Sequence, residues 1–205
     1  MKRALERRLA SVAGFEDPDV EREQYVTPPG LAAHLVHAAD LQGDLDGTVV
    51  DLGTGTGMLA LAAATRGPRR VVGLEVDPAA LAVARENERR LEPGVPVAWV
   101  LGDATRHPLR FGAKRPTVLA NPPFGAQRGN RHADREFLAS VASLGGTSWT
   151  VHNEGSRSFL ESFAADGGGT VTHAFAADFD VPRQFAFHER ERATLDVEVY
   201  RIEWD

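Results

Sequence analysis

Five consecutive residues, Asn121-Pro122-Pro123-Phe124-Gly125, bring together a carboxamide, two rigid prolines and an aromatic ring. Each proline fixes φ and lacks a backbone donor, so neither suits a helix interior or a central strand. The Asn121 amide and the carbonyls after it are thereby held in one direction. Acceptors arranged in this way suit a planar substrate that carries an NH₂ group. They take its two N–H bonds while the ring stacks on its plane. The apolar run 117–120 just before the motif reads as a short buried strand. The motif is then a rigid loop at a strand's C-terminal end, where open α/β sheets bind ligands.

A second group of residues suits a nucleotide-type ligand. The stretch Asp51-Leu52-Gly53-Thr54-Gly55-Thr56-Gly57 follows an expected strand at 48–51 and precedes a helix that starts near Gly57 with Met58, Leu59, Leu61 and Ala62. Strand, glycine loop and helix start form a cradle that a ligand can approach closely. Met58 stands where the dinucleotide fingerprint has its third glycine, which disfavours NAD and FAD. The pattern D-x-G-x-G-x-G is the S-adenosylmethionine pattern instead. Glu75 ends the next strand, 70–75, and a carboxylate there can accept both ribose hydroxyls of an adenosine. Asp77 competes for that role but is expected to cap the helix that opens at Pro78. Asp103, after a third strand at 97–101, stands where a carboxylate meets the adenine amine in this cofactor class.

These groups need a scaffold of alternating strands and helices. An amphipathic helix is expected over 4–13, with Leu5, Leu9 and Val12 on one face. Glu23-Gln24-Tyr25-Val26-Thr27 then leads into a helix that runs to about Leu41, with Thr27 as N-cap and Pro28 as its first residue. Leu31, Leu35, Ala38 and Leu41 mark its apolar face. His34 and His37 lie three apart on it and, with no third ligand in view, read as ordinary histidines, so no metal is expected. Residues 127–133 read as a polar loop containing Arg128 and Arg131. A helix follows from Asp134 and ends at Gly145-Gly146. Strands at 147–152, 170–175 and 194–202 and a helix bearing Phe159, Leu160 and Phe163 complete the pattern. A long functional loop joins the last two strands over 180–192. The result is an α/β fold of the Rossmann-like, class I methyltransferase kind, with a seven-stranded, mostly parallel sheet and one antiparallel strand. It divides into an N-terminal helical extension, 1–22, and a domain over 23–205.

Composition narrows the classes further. Apolar residues make up 42% and charged residues 25%, as in ordinary globular chains. With no cysteine there is no disulfide, thiolate nucleophile or cysteine-based zinc site. No stretch is apolar for the ~20 residues of a membrane span, and the start has no signal-peptide core. A cytoplasmic protein is expected. The net charge of −6 argues against a broadly basic nucleic-acid binder but allows a local basic patch. Lys2 and Lys114 are the only lysines, a composition found in high-salt cytoplasms and equally produced by GC-rich coding.

Taken together, residues 23–27, 51–57 and 121–125, with Asp180-Val181-Pro182, Phe187-His188 and Leu195-Asp196-Val197-Glu198-Val199, make the chain resemble the archaeal branch of the methyltransferase-like 5 family. The resemblance covers about 23–204. Members methylate N6 of one adenine in small-subunit ribosomal RNA. The resemblance implies that Gln24, Tyr25 and Thr27 reach S-adenosylmethionine from the N-terminal side. Asp51, Gly53, Thr54, Gly55, Thr56, Gly57 and Met58 would cradle its amino-acid end, Glu75 its ribose, and Asp103 with Ala104 its adenine. Asn121, Pro122, Pro123 and Phe124 would hold the target base, with the Asn121 oxygen and the Pro122 carbonyl accepting from N6. The lone pair of that amine is delocalised, so catalysis would rest on positioning and electrostatics, and the base must be unstacked to reach the site.

The resemblance also implies RNA contacts by Arg128, Arg131, Arg183, His188 and Arg190. It further implies a small zinc-ribbon activator protein at the edge of the third strand, near Val97 and Trp99. That strand is apolar and carries no charge of its own to guard the edge. Three departures stand out. Thr54 and Thr56 replace frequent cysteines, Glu75 replaces the commoner aspartate, and Glu189-Arg190-Glu191-Arg192 replaces a basic run. In molar salt the Debye length is only ~3 Å, which weakens a basic patch and leaves more to stacking. Two other readings share the motifs: methylation of a guanine amine or a protein glutamine amide, and a non-catalytic RNA-binding assembly factor.

Overall fold

The computed structural model describes residues 2–19, 22–123, 133–182 and 192–205. Elements in chain order are α1 (Lys2–Leu9), α2 (Pro29–Leu41), β1 (Thr48–Leu52), α3 (Met58–Ala64), β2 (Arg70–Glu75), α4 (Pro78–Leu91) and β3 (Val97–Leu101). They continue with a 3₁₀ turn (Ala104–Arg106), β4 (Thr117–Ala120), α5 (Ala133–Leu144), β5 (Gly146–Asn153), α6 (Arg157–Asp166), β6 (Gly169–Pro182) and β7 (Arg192–Trp204). The seven strands form one sheet in the order β3-β2-β1-β4-β5-β7-β6, and β7 runs antiparallel to both neighbours. This is the expected class.

Alternation along the strands makes two cores. Val49 and Val71 face a cluster with Leu5, Leu9, Leu31, Leu35 and α3. Val50, Leu52, Val72 and Leu74 face the opposite cluster with Phe137, Leu138 and Leu160. Central strands sandwiched in this way read as continuous apolar runs, as β1 and β4 do. The chain leaves β1 toward β2 on one side and leaves β4 toward β5 on the other. A crevice therefore opens beyond the C-terminal ends of β1 and β4, at the switch of direction. Asp51 pairs in register with Leu119, which brings the glycine loop beside the Asn121 motif.

The N-terminal extension is built into this frame. Leu5 and Leu9, one turn apart, are buried in the first core. The Arg8 guanidinium donates to the Leu91 carbonyl at the end of α4. Asn87 on α4 accepts from the Ala13 N–H at 2.8 Å and donates to the carbonyls of Ala13 and Thr56. A single buried side chain thus ties the extension to the glycine loop. At the other end of the sheet, the Asp44 carboxylate receives Nε and Nη2 of Arg201 and the Trp149 indole N–H. Its carbonyl accepts the Thr117 hydroxyl, so the turn before β1 is locked to β4, β5 and β7.

Several boundaries differ from expectation. α1 ends at Leu9, and Val12 packs against the core from outside the helix. α2 begins at Pro29 with Pro28 as N-cap, because the Thr27 hydroxyl accepts from the Asn121 amide instead of capping. Leu41 is 72% exposed rather than on the buried face. β5 takes in Gly146, where a Cβ would lie 2.4 Å from the Pro116 carbonyl oxygen. β6 and β7 pair as far as Pro182 opposite Arg192, so the ladder takes in both ends of the loop expected over 180–192, and its remainder, 183–191, lies outside the described residues.

Candidate active-site cleft

The Asn121 side chain has a fixed orientation. Its Nδ2 donates to the Thr27 hydroxyl at 3.0 Å. Its Oδ1 is buried with no hydrogen-bond partner among the described residues. A buried unpaired acceptor costs on the order of 1–3 kcal/mol, which a donor from a ligand would recover. Asn121 and Pro123 line the cleft together with the glycine loop, and Pro122 is buried behind them. Phe124, Arg128, Arg131, Arg183, His188 and Arg190 lie outside the described residues.

Asp51 provides a second unpaired acceptor. Its Oδ2 accepts from the Thr54 hydroxyl at 2.5 Å and from the Ala60 N–H at 2.8 Å. Its Oδ1 is buried without a partner among the described residues. Burial pushes this carboxyl up to about 7, against the lowering effect of the Thr54 and Ala60 bonds and with a further rise from the Glu75 charge. A cationic group in the cleft would relieve that penalty.

Glu75, at the end of β2, spans the cleft floor. One oxygen accepts from the Gly55 N–H at 2.8 Å, and the other from the N–H groups of Val76 and Asp77. The extra methylene relative to aspartate is what lets it reach the glycine loop. Asp77 caps α4 through the Ala79 N–H and accepts from Gln24 Nε2 at 2.7 Å. The other end of the Gln24 amide accepts from the Asp19 N–H. Gln24 thus holds its own loop through both ends of its amide, and it also lines the cleft, where contact with the cofactor was expected. Asp103 uses one oxygen to cap the 3₁₀ turn at Thr105. It stands exposed at the rim beside Ala104.

The glycine loop is shaped from both sides. Gly55 has φ +54°, and a Cβ there would lie 2.9 Å from the Phe15 ring. Gly57 has φ +93°, and a Cβ there would lie 2.8 Å from the Trp99 ring. The Trp99 ring also covers Gly73, and its indole N–H donates to Glu88 at 2.7 Å. Trp99 thus supports the loop from beneath, on the α4 face of the sheet. Glu88 also accepts from the Val97 N–H, so the start of the β3 edge carries a guarding carboxylate after all.

Of the expected site residues, Gln24, Tyr25, Thr27, Asp51, Gly53, Thr54, Gly55, Thr56, Met58, Glu75, Asp103, Ala104, Asn121 and Pro123 line one cleft of about 210 Å³, and Gly57 does not. Sequence reasoning missed Phe15, Glu23 and Phe137, which also line it. Glu23 is buried with φ +49°, a conformation that L residues adopt at a cost. Burial and then the Glu23 charge raise the Tyr25 hydroxyl above its ordinary range. Phe137 read as an ordinary core position of its helix, and nothing local to Phe15 gave it away. Among the described residues no group of His, Asp or Glu side chains could hold a metal ion, and no helix is long and apolar enough to cross a membrane.

The donor set fits an adenosine bearing a cationic amino-acid end: an unpaired acceptor at Asp51, glycine N–H groups, a carboxylate at Glu75 and a rim carboxylate at Asp103. Such a ligand exceeds the open volume, because sites of this kind usually offer about 300 Å³ or more. Phe15, which lies over Gly55, would have to give way.

Comparison with known proteins is consistent with this geometry. Residues 32–164 match the family Methyltransferase small domain. An rRNA N(6)-adenosine-methyltransferase of Drosophila melanogaster is 31% identical over 98% of this chain and 95% of its own length. An uncharacterized protein of Methanocaldococcus jannaschii is 33% identical over 98% of this chain and 94% of its own. A crystal structure from Pyrococcus horikoshii, described as a candidate RNA methyltransferase, superposes with a TM-score of 0.86 at 34% identity and covers 99% of this chain and 97% of that one.

Proposed function

The chain belongs to the methyltransferase small-domain family, in its methyltransferase-like 5 branch, and on that premise we propose that it methylates N6 of an adenine in small-subunit ribosomal RNA. The observation that carries the reading is the buried, unpaired Asn121 Oδ1 beside the cleft that the glycine loop and Glu75 line. Thr27 accepts from Nδ2, which leaves the oxygen as the end presented to a substrate N–H. Two prolines after it keep the Pro122 carbonyl from drifting. Acceptors on both hydrogens localise the nitrogen lone pair and take up the charge that develops on the amine. No strong base is needed, because the positively charged product amine loses its proton readily to water. The stacking role of Phe124 rests on sequence.

S-adenosylmethionine, when bound, supplies an electrophilic methyl group. Asp51, Gly53, Thr56 and Met58 would hold its amino-acid end, Glu75 its ribose, and Asp103 with the Ala104 N–H its adenine. Asp51 contributes an acceptor for a cation, and Glu75 arrives already oriented by three backbone donors. Phe137 packs beside Gly53 and closes one side of the cradle. The protein acts in the cytoplasm. A small zinc-ribbon activator pairs with the β3 edge over residues 98–101, where Leu101 is 58% exposed, and carries the zinc itself.

The test is Asn121→Ala. Transfer to ribosomal RNA should fall by two orders of magnitude or more, the scale of one lost transition-state acceptor. Affinity for S-adenosylmethionine, read by calorimetry, should stay within about threefold. Wild-type turnover in the variant would remove Asn121 from the chemistry.

A further inference from the structure

We propose that the groove between residues 104–115 and α5 is the track for the RNA backbone that flanks the target base. It rests on the RNA methyltransferase reading above and adds to it a contact surface that the sequence motifs do not contain. The segment 104–116 holds Arg106, Arg110, Lys114 and Arg115 and no acid, in a chain of net charge −6. The groove has a volume of about 700 Å³, and Thr105 lines both it and the active-site cleft. A strand leaving the cleft at Thr105 enters the groove directly.

The side chains there are poised for phosphate. Among the described residues no carboxylate lies within ion-pair distance of Arg106, Arg110 or Arg115, which line the groove, or of Lys114 next to them in sequence. Arg110 donates to the His107 and Leu109 carbonyls through Nη1, and Arg115 to the Leu144 carbonyl. One end of each fork is thus anchored while the remaining N–H groups stay available. His107 contacts the Ser143 hydroxyl at 3.1 Å through Nε2, and its Nδ1 is buried without a partner among the described residues. Glu136 is the one acid in the lining, and Phe111 offers a ring on which a base can stack. On α5 the lining runs from Glu136 to Leu144, about 12 Å at the helical rise. That length suits a strand of several phosphates better than a single anion.

The experiment compares wild type with Arg106→Gln/Arg110→Gln. Binding of a fluorescein-labelled, adenine-containing single-stranded RNA is measured by anisotropy from about 0.1 to about 1 M salt. Two lost phosphate contacts should weaken binding about tenfold at the low end and reduce the slope of log K against log salt by about 1.4. S-adenosylmethionine affinity and turnover at saturating RNA should be unchanged. If wild type methylates RNA and the double variant keeps wild-type affinity and slope, the groove proposal is wrong and the enzyme reading stands. Loss of oligoglutamate binding with RNA binding intact would assign the groove to an acidic protein and likewise overturn it. If wild type neither binds nor methylates ribosomal RNA, both readings fall.

Discussion

The catalytic assignment reduces to two oxygens, Asn121 Oδ1 and Asp51 Oδ1, both buried and both left without a protein partner among the described residues. For Asp51 the consequence is measurable. The folded carboxyl sits near 7 against 3.8 for the ordinary group, so the folded protein retains a proton that the unfolded chain has lost. This group therefore makes the ligand-free protein less stable as pH rises from about 4 to about 7. A cationic ligand favours the carboxylate and reverses the shift. Binding of S-adenosylmethionine near pH 6 should release a proton, seen as a binding enthalpy that changes with the ionisation enthalpy of the buffer. Near pH 6 the ligand's own amino group, ordinarily titrating at about 7.7–8.0, stays protonated, so the released proton comes from Asp51, and its absence would show that Asp51 does not meet the cation. At this scale the sequence was informative wherever chemistry and spacing coincide, as in 51–57 and 121–123. Phe15 and Glu23 were hidden because their roles arise from tertiary contact and a left-handed φ, neither of which leaves a local pattern. The bonds of Gln24 to Asp19 and Asp77 were hidden for the same reason, since those partners are assembled only by the fold.

Among the elements, β2, β3 and β4 start and stop where hydropathy places them. Their ends are set by apolar runs meeting glycine, proline or carboxylate, and that boundary is written locally. β6 and β7 were legible as strands, but their full length was not. Asp180 and Pro182 read as the start of a loop, yet the ladder carries through them because antiparallel pairing is a backbone property. The helix-capping role expected of Thr27 failed because a tertiary partner, Asn121, outcompeted the local one. β3 also carries a change of emphasis. Its indole faces inward under the glycine loop, so a partner strand would use the backbone of residues 98–101 rather than the Trp99 ring. Adding a zinc-ribbon activator should slow amide hydrogen exchange over 98–101 by at least tenfold and leave α6 unaffected. Unchanged exchange in a complex that still co-purifies would place the partner elsewhere.

For the whole molecule, the sheet order, the switch of direction between β1 and β4, and the resulting crevice follow from the alternation of strands and helices visible in the chain. The Asp44–Arg201 lock and the Asn87 tie were not visible, since each joins residues far apart in sequence. Charge is also organised at this scale. A net-acidic chain keeps an acid-free run of four cations in the segment that adjoins the cleft at Thr105, and three of them line the groove that leads away from it. The central claim is that this surface delivers an adenine of ribosomal RNA to Asn121. Its most direct test is nucleoside mass analysis of small-subunit ribosomal RNA incubated with the protein, S-adenosylmethionine and the activator. The account predicts N6-methyladenosine that is missing when Asn121→Ala replaces wild type. A methylated guanosine, or no methylated nucleoside from an active preparation that binds S-adenosylmethionine, would contradict it.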